Sequence, residues 1–581
     1  MAKPLGQYVL ALDGSSLPPR EQIGGKAWSV ARMQALGLPV PPAVVVTTDA
    51  CRAYLEQGRF PDGLEADLDA AVAWLEAQTG RSLGGGDKPL LVSVRSGAAI
   101  SMPGMMDTVL NLGINEATAA ALAGEAGDAR FATDTHRRFL ELYAGIVLKL
   151  ALDTEAAQDA AALTAAIEAQ GGRVPDTARA QLHAAVEAVF ASWNSRRAKK
   201  YRKHHDIPDS LGTAVTIQAM VFGNLDDASG TGVLFSRNPL SGDRAPYGEY
   251  LHRAQGEDVV SGKFTPEPLS ALETAHPALH AQLMEAAARL EAENGDVQDI
   301  EFTVQQGTLY LLQSRSAKRA PAAAVRFAVD MVDEGRIDAD TALSRVSAEQ
   351  VRTLLKPRLA AGAADGAETV ARGEIACQGV GVGLVVTDSD EAERRHAAGE
   401  AVVLARATTS PEDVHGMIAA VAVVTEQGGS TSHAAVVGRA LGVPCLVGCG
   451  IGSVTALAGR EVTVDANAGV VYAGALAVET PSESDDPRLA KLTAWAAERS
   501  PLHVVPLDQA PADAFDLDHA EGGEDPARLP ALIAGHRVVR GGAIESDAGV
   551  AAALAAGVTT VAARHPLPVM LAAMAAARAA S

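Results

Sequence analysis

Cysteine is scarce: four in 581 residues, at Cys51, Cys377, Cys445 and Cys449, with no Cys-x-x-Cys pair. That count excludes a disulfide scaffold, and Cys445 and Cys449, which flank a probable strand, read as core thiols in preference to a metal or redox pair. No run of about 18 or more apolar residues occurs, so no membrane-spanning helix is expected. The N-terminus lacks a basic region followed by an apolar stretch, which removes the secretory-signal pattern and makes a cytoplasmic location the expectation. Aromatics are only 4%. Basic residues are outnumbered, 49 Lys and Arg against 71 Asp and Glu, giving a formal charge of −22. Neither nucleic acid nor a membrane surface is therefore expected as a partner. The one basic run, Arg196 to Lys203, reads as a solvated helix end. No Gly-x-x-x-x-Gly-Lys-Ser/Thr loop is present, so a P-loop fold is not expected. Gly379-x-Gly381-x-Gly383 lacks the final spaced glycine and the following βαβ context of a dinucleotide fingerprint, and reads as a tight strand entry. No solenoid-type repeat is visible.

Hydrophobic residues make up 48% and charged residues 21%, enough to bury large cores. Alanine is plentiful, so helices should pack closely through small side chains. At about 100–200 residues per domain the length fits three to five domains. Periodicity predicts a helix over Lys26–Leu36 ended by Gly37, and strands at Val44–Thr47 and Leu90–Val94. It predicts helices over 116–205, including the Ala-rich segment Asp153–Gln170, and strands at Ala214–Val221 and Gly232–Ser236. Asp299–Val304 and Thr308–Gln313 should pair across Gln305-Gln306-Gly307, a hairpin signal. Helices are expected over 321–370, ending in the loose stretch Ala360–Glu368, and strands at Ala401–Ala405, Ala420–Val424, Pro444–Gly448 and Glu461–Val464. Glu479 to Pro487 reads as an exposed linker. Beyond it, strands at His536–Gly541 and Gly557–Ala563 and helices at Asp547–Ala556 and Pro568–Arg578 read as a small α/β appendage.

The most specific segment is Thr425-Glu-Gln-Gly-Gly-Ser-Thr-Ser-His433-Ala-Ala, followed by a helix-prone run that Gly442 should stop. An apolar strand, a Gly428-Gly429 turn and three hydroxyl residues place His433 at a helix N-terminus. Free backbone N–H groups and the positive end of the dipole favour an anion there. Ala434 and Ala435 leave room for a phosphoryl group, and an imidazole with an ordinary pKa of about 6.5 is largely neutral and nucleophilic near pH 7.

This segment closely resembles the phosphohistidine motif of the pyruvate, phosphate dikinases, of the phosphoenolpyruvate (PEP)-utilising family. So do Leu90–Asn115, containing Val-Arg-Ser-Gly-Ala-Ala-Ile-Ser-Met-Pro-Gly-Met-Met-Asp, and Ala214–Gly262, containing Met220-Val-Phe-Gly-Asn224 and Ala254-Gln-Gly-Glu-Asp-Val-Val260. The resemblance covers residues from about 20 to about 475. It implies an α/β multidomain fold: an ATP-grasp-like nucleotide-binding domain over 1–320 with a helical subdomain at 116–205, a helical linker over 321–370, and a swivelling phosphohistidine domain over 371–478. Residues 479–581 depart from the family, which carries there a PEP/pyruvate-binding (β/α)8 barrel of about 250 residues; a linker and short α/β tail are expected in its place.

The resemblance implies a reaction in which ATP and phosphate phosphorylate His433 and yield AMP and pyrophosphate, for pyruvate/PEP interconversion. Phosphoryl transfer asks for cations on the phosphates, a metal and closing amides. Gly24-Gly25-Lys26 resembles the family's ATP-binding lysine turn. Arg95 opens a Gly/Ser/Met loop, Ser96–Met106, suited to laying amides and a guanidinium over phosphates. Asp299 and Glu301 alternate with apolar neighbours, so period-two geometry puts both on one strand face near Gln313 and Arg315, an oxygen cluster suited to Mg2+. By resemblance Glu301 and Gln313 are metal ligands, Arg315 contacts phosphate, and Arg138, Thr231, Glu257, Asp258 and Asp299 belong to the ATP site. Thr431 matches the threonine that regulatory kinases modify in plant members, and Ser430 stands where the family usually has methionine.

Expected partners are ATP, phosphate and pyruvate or PEP, with a separate PEP/pyruvate-binding chain and a homodimeric copy also admitted. Two other readings stay open: transfer to a different acceptor, and a non-catalytic ATP-binding sensor.

Overall fold

The computed structural model describes residues 3–580 apart from 101, 103–106, 154–158, 261–263, 356–357, 361, 442, 480 and 524. The expected Gly442 helix stop and the Pro103–Met106 part of the phosphate loop lie outside the described residues. So do parts of the 153–170, 214–262, 360–368 and 479–487 segments. The chain is a mixed α/β protein built on several sheets.

The first sheet has six antiparallel strands in the order Lys3–Pro4, Val9–Leu12, Ala43–Val46, Ala214–Ala219, Val92–Gly97, Thr108–Leu112. Ala43–Val46 is buried on both faces because alternate residues enter different cores. Val44 and Val46 pack with the helices Leu64–Thr79, Ala129–Ile146 and Ala178–Ser192; Ala43 and Val45 pack with Arg20–Ala35 and Pro277–Asn294.

A second sheet runs Glu267–Pro268, Tyr247–His252, Gly230–Phe235, Gln298–Gln305, Thr308–Ser316. The hairpin expected at Gln305–Gly307 is present: Gln306 and Gly307 take φ of 49° and 71°, the left-handed pair that a two-residue turn between twisted strands demands.

An eight-stranded mixed sheet spans Thr369–Ala473, and its central strands Val380–Val386, Val402–Arg406, Ala422–Thr425 and Cys445–Val447 are parallel. Parallel neighbours need a crossover, and the helix His433–Leu441 connects the last two. That puts His433 just beyond the carboxyl end of Ala422–Thr425, the edge where α/β sheets present their ligand sites. Gly381 and Gly383 lie inside the strand Val380–Val386, not at its entry. A Cβ there would come within 2.6 Å of the Val421 carbonyl and 2.7 Å of the Ala401 carbonyl, so only glycine lets the neighbouring backbone approach.

A four-stranded sheet near the end of the chain is parallel, in the order His503–Pro506, Thr560–Ala563, Val538–Arg540, Phe515–Asp516. Sequence periodicity separates the helices of 321–370 from this tail, whereas the fold joins them. Val329, Leu343 and Val351, from the helices Pro321–Asp333, Ala339–Arg345 and Ala348–Leu354, share one apolar core with Leu492, Val550 and Leu567. Pro321–Asp333 is buried on two sides, its Ala323, Phe327 and Met331 entering a second core with Val233 and Phe235. Nor is Glu479–Pro487 wholly exposed: the Glu483 carboxylate accepts the Leu567 N–H at 2.9 Å and the Thr493 hydroxyl at 3.1 Å. Among the described residues no helix is long and apolar enough to cross a membrane.

Candidate active site

The helix Arg20–Ala35 is broken by Gly24, at φ 74° and ψ 163°. A Cβ there would meet the Gly97 carbonyl oxygen at 1.8 Å, and the Gly25 N–H donates to Ala98 O at 2.8 Å. The two glycines thus clamp the helix start onto the end of the strand Val92–Gly97, bringing Lys26 beside Arg95. Burial, and after it the Arg95 charge, pull the Lys26 ammonium down to about 7.

Arg95 crosses to the second sheet and donates to Glu301 Oε2 at 3.0 Å. In the register of Gln298–Gln305 and Thr308–Ser316, Glu301 faces Gln313 and Asp299 faces Arg315; the register shifts just after Glu301. Arg315 donates to Asp299 Oδ2 at 2.8 Å. Asp299, Glu301, Gln313 and Arg315 line one cavity of about 490 Å3, so the predicted period-two face exists. Burial works to raise the Glu301 carboxyl, but Arg95 and Arg315 hold it below the usual range. Gln313 Oε1 and Arg95 Nε are buried with no hydrogen-bond partner among the described residues. An orphaned amide oxygen opposite an ionised carboxylate fits a hard divalent cation.

His433 lines the same cavity. Its Nδ1 lies 3.3 Å from the Thr409 hydroxyl, while Nε2 is buried and unpartnered among the described residues. Burial holds the ring at about 4, well below the usual imidazole value, against the opposing pull of Asp413. The imidazole is therefore neutral, half-buried and open to the cavity.

On the other side of the Arg95–Glu301 pair lies a cavity of about 260 Å3, lined by Met220, Val221, Thr231, Gln255 and Glu257 among others. Thr231 there donates to Phe302 O at 3.0 Å. Burial pushes Glu257 up to about 7, with Arg138 opposing. Arg138 and Asp258 are brought together with each other: Arg138 donates to Asp258 Oδ1 at 2.7 Å and to Asp134 Oδ2 at 2.7 Å. Neither lines either cavity. Asp258 also accepts the Gln255 N–H at 3.0 Å, so the pair braces the turn that carries Glu257.

Thr431 is 3% exposed, and its hydroxyl donates to Glu249 Oε2, whose other oxygen accepts Ser430 Oγ at 3.0 Å. Sequence reasoning missed Thr409, Glu249 and Arg20. Thr409 precedes Ser410, the cap of a short 3-10 turn, and that capping pattern is its only local signal. Glu249 is an unremarked acid on a strand, and Arg20 an exposed helix-start arginine.

Residues 20–69 and 56–282 match the family described as pyruvate phosphate dikinase, AMP/ATP-binding domain, and residues 398–469 match PEP-utilising enzyme, mobile domain. The chain is 43% identical over 532 residues to pyruvate, phosphate dikinase 2 of Oryza sativa subsp. japonica, covering 85% of this chain and 60% of that protein. It is 38% identical over 550 residues to the pyruvate, phosphate dikinase of Clostridium symbiosum, covering 88% and 63%. With that of Rhizobium meliloti (strain 1021) it is 40% identical over 563 residues, covering 88% and 62%. The chain thus spans less than two thirds of the length of each.

Proposed function

The chain belongs to the pyruvate, phosphate dikinase family, and from that premise we propose that it phosphorylates His433 at the expense of ATP and inorganic phosphate. One observation carries the reading: a neutral imidazole with a buried, unpartnered Nε2 lines the cavity that holds Lys26, Arg95, Glu301 and Arg315. Nε2 attacks the β-phosphorus of ATP; the N–P bond forms, the α–β bridge breaks, and AMP leaves with the bridging oxygen. An oxygen of inorganic phosphate then attacks the terminal phosphorus, the β–γ bridge breaks, and pyrophosphate departs from phosphohistidine. Lys26, Arg95 and Arg315 neutralise charge on the transferring groups, with Asp299 orienting Arg315. Glu301 and Gln313 would hold Mg2+, which when bound supplies further neutralisation of the polyphosphate. Thr231 and Glu257 belong to the nucleotide end of the site, with Arg138 and Asp258 bracing it.

In this reading residues 1–320 are an ATP-grasp-like unit and 371–478 a phosphohistidine unit that swivels, since one imidazole cannot serve two distant sites. Pyruvate is the proposed acceptor, giving PEP at a site on a further region or a separate chain. Thr431, the candidate regulatory site, must leave Glu249 before a kinase can reach it.

ATP labelled separately at the β and γ positions tests the scheme. The β label should remain on the protein after phosphate is added, γ label should appear in pyrophosphate, and His433→Ala should retain neither. A wild-type protein that never acquires label ends the proposal; added pyruvate, with PEP as the product sought, tests the acceptor.

A further inference from the structure

Behind the His433 cavity a second basin of about 540 Å3 opens between the helix Arg20–Ala35 and the strand Thr308–Ser316. The two spaces share Arg20, Gly25 and Arg315 in their linings, so they adjoin. The charged lining of the basin is Arg20, Arg32, Arg315, Lys318 and Arg345 against one carboxylate, Asp296. That carboxylate is already engaged, accepting from Arg319 at 2.8 and 3.0 Å. Arg32 is paired with Glu293 at 3.2 Å and Arg315 with Asp299 at 2.8 Å. Arg20 lies instead over the Trp28 ring at 5.8 Å, and neither it nor Lys318 has an ion-pair partner among the described residues.

Arg345 lies 3.8 Å from Asp296, which leaves Arg20 and Lys318 as the two lining cations without a partner among the described residues. Unpaired cations beside other cations raise one another's cost, and a bound anion relieves it. Lys318 registers the crowding: burial, then Arg315 and Arg319, draw its ammonium below the usual lysine value. The rest of the lining sorts the anions. Ser29, Ser314, Ser316 and Asn294 offer hydroxyls and an amide, while the one aromatic face, Trp28, is covered by Arg20 and Arg32. No stacking surface is left for a base. A compact, multiply charged oxyanion fits such a wall, since lysine and arginine serve it as point charge and fork.

Resting on the functional reading above, we propose that this basin binds the inorganic phosphate co-substrate and passes out the pyrophosphate formed from it, by a route separate from the one the nucleotide takes. Lys318 and Arg20 are its holding groups.

The test uses the full chain with Lys318→Ala and Arg20→Ala, checked for unchanged melting. Each should raise KM for phosphate about tenfold, the loss of one charge-assisted contact, and in the reverse direction KM for pyrophosphate likewise. Lys318→Arg should restore both. Transfer of β label from ATP to His433 in the absence of phosphate should be as fast in Lys318→Ala as in wild type. Equal loss in that phosphate-independent step, or no change in either KM, overturns the inference. Should wild type take no label at all, the functional reading fails, and calorimetric titration of pyrophosphate still judges the basin. Binding about tenfold weaker in Lys318→Ala sustains it; identical binding overturns it.

Discussion

The Nδ1 of His433 and the hydroxyl of Thr409 stand 3.3 Å apart, joining a helix start to a loop 24 residues upstream. With Nδ1–H donating to the hydroxyl oxygen, the ring is fixed in the tautomer that leaves a lone pair on Nε2, the atom buried without a partner. Thr409→Val should slow single-turnover phosphorylation of His433 about tenfold or more, with ATP affinity little changed; Thr409→Ser should keep most of the rate. A Val variant as fast as wild type would remove this role.

Because burial lowers His433 to about 4, the ring should stay neutral from pH 8 to pH 5. The unfolded chain takes up this proton near the ordinary value of about 6.5, so acidification between that value and 4 favours states in which the ring is released. The signal of 13Cε1-labelled histidine that vanishes in His433→Ala should show no titration above pH 5. A midpoint near the ordinary value would contradict the buried setting.

Gly24→Ala adds a Cβ 1.8 Å from a carbonyl oxygen at φ 74°. The expected cost is about 2–3 kcal/mol or more in denaturant unfolding, with loss of ATP binding as Lys26 is displaced. Gly37→Ala, at φ 68° with nothing within 4 Å, is the control, costing about 1 kcal/mol and leaving ATP binding intact.

Glu301→Gln should abolish the gain in ATP affinity that Mg2+ confers, leaving binding in EDTA equal or stronger, since one negative charge leaves the phosphate site. ATP titrations with and without Mg2+ decide it, and an undiminished Mg2+ effect would exclude Glu301 as a ligand.

A chain shortened to end at residue 479 should lose hydrogen-exchange protection in the helices Pro321–Asp333, Ala339–Arg345 and Ala348–Leu354, whose apolar core includes Leu492, Val550 and Leu567. The strands Ala43–Val46 and Ala214–Ala219 should keep theirs.

Local chemistry made several features legible before any coordinates. Gln306-Gly307 demands left-handed backbone, the Asp299/Glu301 alternation demands a shared face, and the glycine turn before His433 demands a helix start. Each depends on a few adjacent residues and on φ/ψ or side-chain periodicity that the chain carries within itself. Family resemblance added Lys26, Arg95 and Gln313, which no local pattern separates from ordinary surface residues.

What tertiary structure alone decided involves groups far apart in the chain. It gave Arg138 to Asp258, anchored Thr431 on Glu249, set Thr409 against the imidazole, and merged the helices of 321–355 with the tail. It also left Arg20 and Lys318 facing one basin with no ion-pair partner among the described residues. Backbone preference acts over one or two turns, whereas the partner of a side chain is settled by which surfaces bury each other, and that depends on the whole packed chain.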